Sequence, residues 1–72
     1  MTKKKAIIKR IRREAKAKGV DFEKAARPGS NHDIWMLDGI MVPIPRHNEI
    51  PELTTRGIYR ECEEKLGKDW WK

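Results

Sequence analysis

Apolar residues recur at helical spacing near the start of the chain. Ile7, Ile8, Ile11 and Ala15 fall at i, i+1, i+4 and i+8, one stripe on a helix predicted over residues 3–18. Lys5, Lys9, Arg12, Arg13 and Lys16 take the other faces. Gly19 is a natural stop, because glycine accepts the left-handed backbone after a helix end. Residues 20–27 carry mixed signals. Val20 and Phe22 favour an extended piece, whereas Glu23, Lys24, Ala25 and Ala26 lean helical; we read a short strand. The period then changes to two. Residues 31–37 and 40–45 read as strands on either side of Asp38-Gly39, the kind of pair that a type I′ turn prefers, since both central positions need positive φ. That turn sets the register: Trp35 faces Val42, Ile34 faces Pro43 and His32 faces Pro45.

The register divides the hairpin into two faces. Asp33, Trp35, Leu37, Ile40, Val42 and Ile44 share the one richer in large and β-branched residues, which we assign to the core. His32, Ile34, Met36, Met41, Pro43 and Pro45 share the other, expected to be open. Pro43 and Pro45 have the same parity, so both positions without an N–H can point away from a neighbour, which makes this an edge strand. Ile58, Cys62 and Leu66, with Tyr59 beside them, predict a second helix over residues 51–66. Thr54 or Thr55 is its candidate N-cap, with Pro51 at an earlier first turn as the alternative. Gly67 ends it. The tail, residues 68–72 with Trp70 and Trp71, is expected to pack against that helix. The order α-β-β-β-α implies an α+β, two-layer fold with a three-stranded antiparallel sheet and two helices on one face. The double-stranded-RNA-binding domain has this order too, which by itself is an analogy.

Residues 1–72 are short enough for a single domain. A chain this small buries only about 60% of its unfolded surface. A deep cavity for a large cofactor is therefore excluded, and an active site must lie on the surface or in a shallow cleft. Charge sharpens the picture. The net charge is +6. Residues 1–27 hold eleven basic and three acidic side chains, whereas residues 28–72 hold six and eight. Basic charge gathered in one segment is the footprint of a phosphate-binding protein, and solubility is the plainer explanation. Cys62 is the only cysteine, so no intrachain disulfide forms, which suits a reducing, cytoplasmic setting. Neither a signal peptide nor a membrane span is legible, so no membrane partner is expected.

Two side chains, His32 and His47, are of the type that titrates near neutral pH. His32 follows Gly29-Ser30-Asn31 at the entry to the first hairpin strand, and Arg46-His47 follows the end of the second. The register brings these segments together at one end of the hairpin, about one strand spacing, roughly 5 Å, apart. RNA cleavage calls for such groups. The attacking 2′-hydroxyl must lose a proton and the leaving 5′-oxygen must gain one, and imidazole can do either. Charge on the phosphoryl oxygens calls for a fixed cation, and Arg46 is the nearest. Gly29 permits close approach of substrate. No metal constellation is convincing, and no cofactor is implied. The same residues also have plainer readings: His32 as an ordinary surface histidine, Ser30 as a turn residue, Arg46-His47 as solvated surface.

Taken together, Gly29-Ser30-Asn31-His32, a strand, an Asp-Gly turn, Val42-Pro43-Ile44-Pro45-Arg46-His47 and a final helix ending in Leu66-Gly67 resemble the HicA toxin family over about residues 5–67. The resemblance implies a double-stranded-RNA-binding-like fold, a toxin of a bacterial or archaeal toxin–antitoxin pair, and cleavage of mRNA that arrests translation. It implies His32 as the catalytic residue and a HicB-type antitoxin as the protein partner, with DNA met only indirectly through the antitoxin complex. Gly29, Ser30, Asn31, Arg46, His47, Lys9, Arg12 and Arg13 are the candidate RNA-binding residues. Ile34, Met36 and Met41 are more apolar than an RNA-facing surface needs, so with His32 they form the candidate antitoxin interface. The rival readings are a non-catalytic duplex-RNA-binding module and a small protein-interaction domain.

Overall fold

The computed structural model describes residues 1–25 and 32–72. The elements are β1 (Thr2–Lys3), α1 (Lys4–Lys18), β2 (Phe22–Lys24), β3 (His32–Leu37), β4 (Ile40–Pro45), β5 (Glu49–Ile50) and α2 (Glu52–Leu66). Strands β2, β3 and β4 form an antiparallel sheet in that order, so β3 is central and β4 lies at an edge. Asp38 and Gly39 both have positive φ, 47° and 91°, as the tight turn requires. The resulting register pairs His32 with Pro45, Ile34 with Pro43 and Trp35 with Val42.

That register sends the expected face inward. Asp33, Trp35, Leu37, Val42 and Ile44 are buried and Ile40 is half-buried. Trp35, Leu37, Val42 and Ile44 meet Ile7, Ile11 and Ala15 of α1 and Ile58, Tyr59, Cys62 and Leu66 of α2 in a single core cluster, with Ile40 packed against it. Burial of Cys62 pushes its thiol up to about 12, so it stays protonated as a core side chain. The outward face keeps His32, Met41 and Pro43 exposed, with Ile34 and Met36 half-buried.

Two features depart from the sequence expectation. The first is an additional two-stranded antiparallel pair, in which Thr2 lies opposite Ile50 and Lys3 opposite Glu49. Each strand is two residues long, too short for any period to show. The second is the start of α2. Neither Thr54 nor Thr55 is the N-cap; Pro51 holds that position, with no side-chain cap bond. Thr55 lies one turn inside, buried, and its hydroxyl donates to the Pro51 carbonyl at 3.0 Å. The earlier start follows from Ile50, which is fully buried and brings the chain into the core just before Pro51.

The aromatic tail packs as expected. Trp70 meets the Tyr59 ring edge-on, with centroids 5.2 Å apart, and its indole N–H donates to the Tyr59 carbonyl at 2.9 Å. The Trp71 indole donates to Glu63 Oε2 at 2.9 Å, and Arg10 donates to the Trp71 carbonyl. The tail therefore ties α1 to α2. Trp70→Ala removes a half-buried ring and a hydrogen bond, at a cost of about 1.5–3 kcal/mol. Thermal melting should register a fall of roughly 4–8 °C per kcal/mol for a domain of this size.

Candidate active site

His32 opens β3 on the outward face and is exposed. Its cross-strand partner Pro45 is the last residue of β4, and the bend of residues 46–48 follows directly. The hairpin thus delivers His32, Arg46 and His47 to one end of the sheet. Arg46 and His47 are both exposed. Gly29, Ser30 and Asn31 lie outside the described residues.

Arg46 is engaged at that end. Its Nε donates to Asp33 Oδ1 at 3.0 Å. Asp33 neighbours His32 in sequence but points to the opposite, inner side of the sheet. Two further cations reach the same carboxylate. Lys4, at the start of α1, donates to Oδ2 at 2.5 Å, and Lys24, at the end of β2, lies 3.8 Å from Oδ1. The hydrogen bond from Lys4 is the main force lowering the Asp33 pKa; Arg46 and Lys24 add to it and partial desolvation opposes it. The sequence reading placed Asp33 on the core face but did not name these partners. The signal was there: a carboxylate on an inward-facing strand position needs cations to compensate it.

A depressed folded pKa has a definite linkage. Asp33 stabilises the fold above its unfolded value, near the ordinary 3.8, and that contribution disappears as pH falls through the lower folded value. We expect the wild type to melt above Asp33→Asn at neutral pH, with the gap constant down to about pH 5 and closing below about pH 4. Paired thermal melts across that range check it, and a gap that widens on acidification would refute it.

Lys4 is the α1 cation that reaches this end of the sheet; the candidates Lys9, Arg12 and Arg13 lie elsewhere on the helix. Burial of Ile7, Ile11 and Ala15 turns Lys9 and Arg13 to the far side of the helix layer, where they line a shallow surface groove. Arg12 flanks the core, its guanidinium 5.9 Å from the centre of the Trp35 ring. At the other end of α1, Lys3, Lys4, Lys5, Ile8, Asn48 and Glu49 line an open cleft of about 720 Å³. Lys4 is common to this cleft and to the Asp33 cluster, and the Asn48 carbonyl accepts its backbone N–H at 2.8 Å.

Among the described residues, no group of three His, Cys, Asp or Glu is placed to hold a metal ion. No helix among them is long and apolar enough to cross a membrane. No protein-family model matches the chain, and neither curated proteins nor solved structures match it. The functional reading therefore rests on the residues at the sheet end.

Proposed function

We propose that the chain is an endoribonuclease that cleaves mRNA without a metal, with His32 moving the proton. More narrowly, it is a HicA-type toxin of a bacterial type II toxin–antitoxin pair, neutralised by a HicB-type antitoxin. The observation that carries this reading is the pairing of His32 with Pro45, which sets an exposed imidazole beside the Arg46-His47 segment. His32 acts as general base toward the 2′-hydroxyl or as general acid toward the leaving 5′-oxygen, with His47 as the second acid/base or substrate-binding group. Cations at the sheet end stabilise charge on the phosphate. A three-stranded sheet with both helices packed on its inner face supports a double-stranded-RNA-binding-like architecture. On the outer face, Ile34 follows His32 along β3, and the Met36–Met41 pair continues the same face toward the turn, with Met41 66% exposed. An antitoxin bound there would cover the site and bury apolar surface together.

The test is incubation of the purified chain with a long single-stranded RNA in EDTA, and the expected result is cleavage. RNA that is bound but left whole would instead favour the non-catalytic RNA-binding module, and RNA neither bound nor cut would favour a protein-interaction domain.

A further inference from the structure

The three cations around Asp33 come from three separate elements and are unevenly arranged. Lys4 takes Oδ2, and its side chain is only 19% exposed. Arg46 and Lys24 both lie against Oδ1, at 3.0 and 3.8 Å, with side chains 47% and 58% exposed. Two like charges are therefore gathered around one oxygen, at the open end of the sheet. Their mutual repulsion favours a further anion placed between them. We infer that Asp33, Lys4, Lys24 and Arg46 form an RNA phosphate cradle, in which Asp33 is a positioning residue and Lys24 and Arg46 are the groups that face the backbone of the substrate.

This rests on the ribonuclease reading, which already uses Arg46, and extends it to Asp33, Lys4 and Lys24, giving Arg46 a flanking phosphate to hold. Asp33 follows His32 directly but lies on the other side of the strand, so the cradle is offset from the imidazole. It therefore takes a phosphate flanking the scissile one, and contributes to substrate affinity rather than to proton transfer. Lys4 also lines the lysine-rich cleft beside Asn48, which offers the RNA strand a path away from the cradle.

The sign of one measurement separates positioning from simple charge. A carboxylate near a phosphate repels it, so if Asp33 had no positioning role, Asp33→Asn would bind RNA more tightly. Positioning predicts weaker binding, because Arg46 and Lys24 are no longer held together. We would measure the affinity of single-stranded RNA as a function of salt, in a His32→Ala background that leaves the RNA whole. Asp33→Asn should raise Kd several-fold. Lys24→Gln, at an exposed position that folding tolerates, should raise Kd by up to about tenfold and reduce the log–log salt slope by about 0.7, while Lys24→Arg preserves both. Melting curves establish that each variant is folded, and Lys24→Gln decides the matter if Asp33→Asn is not. Tighter binding by Asp33→Asn, or an unchanged slope in Lys24→Gln, would overturn the cradle and leave the ribonuclease reading standing. Absence of RNA binding by the parent chain would overturn both.

Discussion

His32→Ala should slow RNA cleavage by about 10²–10⁴-fold, the contribution of one general acid/base, equivalent to roughly 3–5 kcal/mol of transition-state stabilisation. The loss should fall on kcat and on kcat/KM together, because proton transfer is a feature of the transition state and not of RNA binding. Stability should change by no more than about 0.5 kcal/mol, since the side chain is exposed on the outward face. Single-turnover cleavage beside a thermal melt checks both halves. A folded variant that still cuts at the parent rate would move the chemistry to His47 or elsewhere; an unfolded one would make His32 a structural residue.

The largest effect on stability is expected at Ile11. It is fully buried at the middle of the α1 stripe, between Ile7 and Ala15, and faces a core shared by both helices and the sheet. Ile11→Ala deletes apolar contacts and leaves a cavity, at about 2–5 kcal/mol. A chain of this length has a total stability of only about 4–11 kcal/mol. One side chain therefore carries a large fraction of the total stability. Leu53 is the matching control: also a large aliphatic on a helix, but 80% exposed, so Leu53→Ala should stay within about 0.5 kcal/mol. Urea unfolding of the pair measures the contrast. Equal losses at the two positions would mean that α1 does not pack as described.

What the sequence revealed and what it hid have physical causes. The register of the hairpin was legible to the residue because a two-residue turn fixes it, and period-two alternation then fixes the faces. Both helices were legible from their buried stripes. The β1–β5 pair was not, because it joins segments far apart in the chain with two residues each. For α2 the expected span agrees to within a residue and the start at Pro51 was the alternative; the preferred cap, Thr54 or Thr55, was not found, because both satisfy the composition of a cap while the turn is set by Ile50 entering the core. At the candidate site, the meeting of His32 with the Arg46-His47 segment followed from the register. The placement of Lys9 and Arg13 on the far side of α1 was not legible, since charge composition carries no direction and burial of one helix face sends the opposite one away. Asp33 was the overlooked residue: its inward parity was read, and its need for Lys4, Lys24 and Arg46 was not.

The two prolines of β4 have a consequence for self-association. The Ile34 carbonyl accepts from Ala25, just past the end of β2, so the backbone groups of its partner Pro43 point away from β3, and those of Pro45 follow by parity. Neither proline carries an N–H, so this stretch of the free edge presents carbonyl oxygens without matching donors. The same edge of a second copy, laid against it, would place acceptor opposite acceptor at these positions. Growth of the sheet from one β4 edge into the next is disfavoured there by covalent structure alone, which helps keep a hairpin rich in isoleucine and methionine from templating aggregates.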